Sequence, residues 1–213
     1  MIRRLIQLFL GLALYGLSIA CVIRSGLGGN PWDVFHQGVS DHSGTSIGNV
    51  IIMTGAAVLL LWVPIRQRPG IGTISNVFMI GIFADFGLWL LPQAANLPGA
   101  WTMLITGILL NGIAGGAYIG AGLGPGPRDG LMTGLAKRTG GSIRVVRTGI
   151  ELVVLAIGWM LGGTVGIGTV IYALAIGPIV HRTLPFFTIP ENNPMPRLSS
   201  RSGISDLPLH SQE

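Results

Sequence analysis

The sequence predicts an all-α polytopic membrane protein: six transmembrane helices in two inverted three-helix repeats, each with a short Gly/Pro-initiated re-entrant or interfacial helix. Three observations predict it. The 213 residues are 49% hydrophobic and only 10% charged, against about 25% charged in a soluble domain, so a water-soluble globule is excluded. Glycine occurs 34 times, about twice its usual share of roughly 7%, in a chain too apolar to be disordered, which fits helices packed closely in lipid. Finally, the chain matches itself at an offset of 96 residues, and internal symmetry sets an architecture before any motif is interpreted.

The first element is the apolar run from Leu5 to Ile23, long enough to span. Arg3 and Arg4 before it, and Ser18-Ile19-Ala20-Cys21 at its end, also suggest a cleaved signal or lipoprotein site. Cleavage is disfavoured because Ser18 stands where such a site wants Leu, and because the run has a partner later in the chain. Next come Gly26-Leu27-Gly28 and Asn30-Pro31-Trp32-Asp33. Gly26 and Gly28 free the backbone to break the helix. Asn30 can then cap a short helix, with Pro31 at its first position and Asp33 in its first turn. Apolar segments follow at 47–63 and 72–91, the latter opened by Gly70-Ile71-Gly72-Thr73.

The second copy repeats this layout, with apolar segments at 101–121, 143–161 and 167–184. Gly122-Leu123-Gly124, Pro127 and Asp129 return the helix break, and Gly166-Ile167-Gly168-Thr169 returns the later motif. Aligning 26–81 with 122–177 gives 18 identities in 56 columns, where this composition would give about 5 by chance. Repeat 1 is therefore about 5–91 and repeat 2 about 101–184, within a transmembrane domain of 1–185. Three crossings per copy turn the second upside down relative to the first. Residues 186–213, with Pro190, Pro194, Pro196 and several serines, read as a disordered cytoplasmic tail.

Charge supports this topology. With the N-terminus inside, 12 of the 13 Lys and Arg residues fall on the inner side, among them Arg66, Arg68, Arg128, Lys137 and Arg138, and only Arg24 faces out. That asymmetry is what the positive-inside rule demands. It accounts for the net charge of +5 without nucleic acid and puts both termini in the cytoplasm. The partners expected are a lipid bilayer, from the apolar spans, and an unidentified small-molecule substrate, from the reading of the chain as a transporter. Six short spans enclose little volume, which is compatible with a homodimer.

Candidate site residues follow from the same map. Asp33 and Asp129, in the two broken segments, would line opposite ends of one pathway, with amide-rich helix N-termini facing a polar cavity; the plainer reading is two capped helix starts. Glu151 and Arg147 lie in the fifth span at the i, i+4 spacing that lets them neutralise each other, and Asp85 lies in the third. Intramembrane charge marks function or a buried ion pair. Gly70, Gly72, Gly166 and Gly168 suit either close helix packing or a backbone-lined gate. Asn76 and Asn111 are read chiefly as helix bridges, His181 as interfacial, and Trp32, Trp62, Trp89, Trp101 and Trp159 as an interfacial belt. The lone Cys21 makes no internal disulfide, and no Cys/His cluster offers a metal site. No cofactor is implied: the glycine motifs follow no strand and carry no Gly-Lys-Ser/Thr. Nor is there a His-Glu-x-x-His or Gly-x-Ser-x-Gly, so no catalytic residue is assigned and an enzyme is not expected.

Asn30-Pro31-Trp32-Asp33-Val34-Phe35-His36-Gln37-Gly38, Arg66-Gln67-Arg68-Pro69-Gly70-Ile71-Gly72-Thr73 and Gly122-Leu123-Gly124-Pro125-Gly126-Pro127-Arg128-Asp129-Gly130-Leu131-Met132 resemble the YczE/YyaS/YitT group of bacterial integral membrane proteins, over about residues 5–185. The resemblance implies a multi-pass protein of the bacterial cytoplasmic (inner) membrane. Some relatives are classed as candidate exporters of small molecules, including antibiotics. Together these readings predict a small secondary transporter or exporter working by alternating access between inverted repeats. The alternative is a non-transporting membrane scaffold that docks a cytoplasmic partner through its basic inner face.

Overall fold

A computed structural model describes residues 1–190. Those residues form eight α-helices: α1 (Ile2–Ser25), α2 (Pro31–Ser43), α3 (Ile47–Ile65), α4 (Ile71–Leu90), α5 (Leu97–Gly120), α6 (Pro127–Thr139), α7 (Ile143–Met160) and α8 (Ile167–Phe187). The six predicted apolar segments appear within a few residues of their expected bounds, and the two short helices begin at Pro31 and Pro127, where the breaks imply. Five helices, α1, α3, α4, α5 and α8, are long and apolar enough to cross a membrane. The sixth expected span, α7, differs because Arg144, Arg147 and Glu151 fall within its 18 residues. The predicted tail begins too early by two residues, since α8 continues to Phe187; positions 191–213 lie outside the described residues.

Helices α1 and α5 form the centre and run antiparallel. Glycine allows the approach: a methyl group on Gly11 would stand 2.9 Å from the amide nitrogen of Tyr118, and one on Gly107 would stand 3.0 Å from the Ser18 carbonyl. Without a hydrophobic force between helices in lipid, such close backbone packing is what holds them together. Parallel neighbours flank the pair, α4 on α1 and α8 on α5. Gly16 sits under the Ile80 carbonyl, and Gly116 against Thr183. Leu8, Leu12, Ile19, Ile80, Ala84 and Tyr118 fill the α1–α4–α5 core. Gln7 Nε2 donates to the carbonyls of Ala117 (2.9 Å) and Phe187 (2.7 Å), joining α1 to the ends of α5 and α8.

The two chain breaks seat the later helices reciprocally. Gly168 N donates to the Leu27 carbonyl at 2.8 Å, and Gly72 N donates to the Leu123 carbonyl at 2.8 Å; both members of each pair differ from the other pair by 96 positions. Gly28 (φ +93°) and Gly124 (φ +120°) lie at these seats. A methyl on Gly28 would come 2.6 Å from Gly166 N, and one on Gly124 2.9 Å from Thr73 Oγ1, so glycine is required twice over, by conformation and by space. The short helices also exchange places: α2 packs on α7, and α6 on α3.

One correspondence fails. α3 lies along α4, where a methyl on Gly55 would meet Val77 at 3.2 Å. α7 has no comparable packing against α8, and Gly177, the counterpart of Gly81, has nothing within 4 Å.

Candidate functional site

The loop after α1 turns through the left-handed Gly26 (φ +66°) and delivers Asn30 as the cap of α2. Asn30 Oδ1 accepts from the amides of Trp32 (2.9 Å) and Asp33 (3.1 Å), as the sequence predicts. Gly122 (φ +66°) makes the matching turn before α6, whose cap position is Gly126 with no side-chain acceptor. Both helix starts reach a cavity of about 550 Å³ that takes side chains from all eight helices. Such a volume suits a drug-sized ligand.

Polar groups concentrate near the central pair. Asn111 Nδ2 donates to Ser18 Oγ at 2.7 Å, and Asn111 Oδ1 accepts from the Tyr172 hydroxyl at 2.6 Å, a bridge between three helices. The Tyr118 hydroxyl donates to Asp129 Oδ2 at 2.8 Å. Trp62 Nε1 donates to the Pro127 carbonyl at 3.0 Å and fixes the start of α6 against α3. The guanidinium of Arg128 lies 4.7 Å over the Trp32 ring, with Nη2 3.5 Å from His36 Nε2; among the described residues no carboxylate pairs with it. Arg147 Nε meets Glu151 Oε1 at 2.9 Å, and both line the cavity.

The expected site residues thus separate. Asp129, Arg147 and Glu151 line the cavity, Asn76 and His181 with them. Asp33 is buried beside Gly29, accepts from Asn30 Nδ2, and does not line it. Asp85 is also apart: its carboxylate accepts from Ser46 Oγ (2.6 Å) and Gly48 N (2.7 Å) at the start of α3. Gly70, Gly72, Gly166 and Gly168 lie at the reciprocal backbone seats, with Pro31 and Pro127 at the first positions of the short helices. Two tryptophans depart from the expected belt. Trp32 and Trp62 are 7% and 2% exposed, because each spans the contact between a short helix and its support. Sequence reasoning missed Arg128, Tyr15, Tyr118 and Tyr172 as lining groups. A signal existed: at the 96-residue offset Tyr15 aligns with Asn111, and Asn76 with Tyr172, two polar pairs in otherwise apolar runs.

Comparison with known proteins finds a match to a family of unknown function, DUF6198, over residues 2–185. An uncharacterized protein of Haemophilus influenzae is 38% identical over 174 residues, covering 82% of this chain and 80% of its own. The uncharacterized membrane protein YczE of Bacillus subtilis is 36% identical over 179 residues, covering 83% of each chain. YyaS of the same organism, also uncharacterized, is 26% identical over 183 residues, 83% of this chain and 90% of its own. The expected kinship with YczE and YyaS is therefore borne out, and with it a multi-pass membrane protein. No solved structure matches.

Proposed function

The chain belongs to the DUF6198 family, and from that premise we propose that it is a small secondary transporter, exporting a small molecule by alternating access between two inverted repeats. The carrying observation is the 550 Å³ cavity at the meeting of all eight helices. Antiparallel α1 and α5, and the reciprocal Gly72–Leu123 and Gly168–Leu27 bonds, support an inverted relation between the halves. In this reading α7 is the sixth span, its Arg147–Glu151 pair neutralising two of its three charges. Both termini are cytoplasmic, by the bias of basic residues. Substrate binds between the Asn111–Tyr172 bridge and Arg128–Asp129, and Asp129 or Glu151 carries a coupling proton.

Purified protein in liposomes, given a proton gradient and a substrate panel, tests the transport: substrate-dependent proton flux is expected, and its absence across the panel rejects the proposal. Cysteine labelling on a Cys21→Ser background tests the topology. His42→Cys should label from outside and Thr139→Cys from inside; labelling of both from one side removes the inverted arrangement.

A further inference from the structure

Helices α3 and α7 correspond at the 96-residue offset, yet only α3 rests on the helix that follows it. The α3–α4 seam is closed by small residues, Gly48, Gly55 and Gly81, and by the Asp85 carboxylate, which holds Ser46 Oγ and Gly48 N. Three parts of that closure change in the second half: Arg144 replaces Gly48, Glu151 replaces Gly55, and His181 replaces Asp85, while Ser142 and Gly177 keep the identities of Ser46 and Gly81. Ser46 caps α3 by accepting from Asn49 N, whereas Ser142 at the start of α7 makes no side-chain cap bond. The cavity is lined on one side by Arg147 and Glu151 of α7 and on the other by Tyr172, Ile176 and Val180 of α8, so it lies between two helices that do not close over it.

We infer that the α7–α8 seam is a lateral portal through which the cavity takes an amphiphile from the lipid phase, and that the α3–α4 seam is its latched counterpart. The class of ligand follows from the lining. Ile176, Val180 and Leu184 offer an aliphatic wall along α8, suited to a hydrocarbon chain. At the polar end Arg128 and Arg147 are balanced by Asp129 and Glu151, so the head group is zwitterionic or neutral with several hydrogen-bonding groups. Of these four only Arg128 has no side-chain ion pair or carboxylate–hydroxyl bond among the described residues, so a hydrogen-bonding head group seated beside it offers a partner to a charge that membrane interiors disfavour. The inference deepens the transporter reading and rests on it for what the portal serves; the opening itself rests on packing alone.

The test attaches bimane to Ala173→Cys, facing the portal, or to its counterpart Val77→Cys, both on Cys21→Ser, in phosphatidylcholine liposomes with and without acyl-chain doxyl lipid. Quenching by doxyl lipid is expected to be severalfold greater at 173 than at 77. Added lysophosphatidylcholine should reduce quenching at 173, and lysophosphatidic acid of the same chain length should not. Ile176→Cys provides a second portal position should the first variant fold poorly. Equal weak quenching at 173 and 77, with aqueous iodide reaching 173, overturns the portal. Equal protection by both lysolipids overturns the neutral head group. Asp85→His should raise quenching at 77 towards that at 173, and unchanged protection at 77 overturns the latch. Lipid quenching at 173 without flux for any substrate sustains the portal and removes the transporter reading; flux without such quenching does the reverse.

Discussion

The Arg128 guanidinium stands 4.7 Å over the ring of Trp32, linking the first turn of α6 to the first turn of α2 across the cavity. A cation over an aromatic face contributes about 0.5–2 kcal/mol, more as it is desolvated. Arg128→Ala should therefore lower the unfolding free energy in detergent by about 1–2 kcal/mol, and Arg128→Lys, which keeps the charge but loses the planar stack, by less. Equal losses for the two variants would mean that charge alone is not what the contact supplies. Lost flux in a well-folded Arg128→Lys protein would mark the planar guanidinium as part of the substrate site.

Asn111 is predicted to be the most sensitive polar residue of the central pair. Replacing it by Ala removes the acceptor of the Tyr172 hydroxyl and one of the two bonds of Ser18 Oγ, which still donates to the Tyr15 carbonyl; a buried group orphaned in this way costs about 1–3 kcal/mol, and the second lost bond adds to it. Tyr172→Phe removes one bond and should cost less, about 1 kcal/mol. Thermal melting of the two variants decides this; a milder effect for Asn111→Ala would indicate that water enters and satisfies the site.

Gly28→Ala and Gly124→Ala each combine a left-handed backbone with a backbone or hydroxyl neighbour closer than 3 Å. Gly44→Ala shares the positive φ, +69°, but meets nothing within 4 Å, so its cost is the conformational one alone, about 1–2 kcal/mol. The expected order by folded yield in membranes is Gly44→Ala well above the other two. Comparable yields for all three would show that the reciprocal seats tolerate separation.

Asp85→Asn retains one acceptor and one shape, whereas Asp85→Ala frees both Ser46 Oγ and Gly48 N. The alanine variant is expected to lose about 1–3 kcal/mol and the asparagine variant less. Because Asp85 does not line the cavity, binding of a transported substrate should persist in Asp85→Asn; lost binding there would return Asp85 to the pathway.

Much of this architecture was legible because it rests on period and punctuation. The repeated glycines, the Asn30 cap and the i, i+4 spacing of Arg147 and Glu151 are local facts, and each appears as the residues imply. Arg128 was hidden by its chemistry: a basic residue in a polar connection reads as an orientation signal, and only packing turns it inward onto Trp32. Asp85 shows what sequence leaves open, since a carboxylate within an apolar run suggests function or a buried pair, and only the packing supplies its partners, Ser46 and Gly48 at the start of a neighbouring helix. The uneven seams were written as exchanges, Gly48 for Arg144 and Gly55 for Glu151. Their meaning needed the knowledge that α3 lies against α4.

Asp85 and His181 occupy matching positions in the two copies but do different jobs, one gripping the start of the adjacent helix and the other bordering the cavity. Two separate, identical three-helix chains could not hold that difference, because any residue that fastened one side would fasten both. Joining the copies in a single polypeptide permits the two halves to diverge residue by residue, one seam fastened and the other left open. Exchanging the two residues, Asp85→His with His181→Asp, would ask whether the fastening moves with the carboxylate.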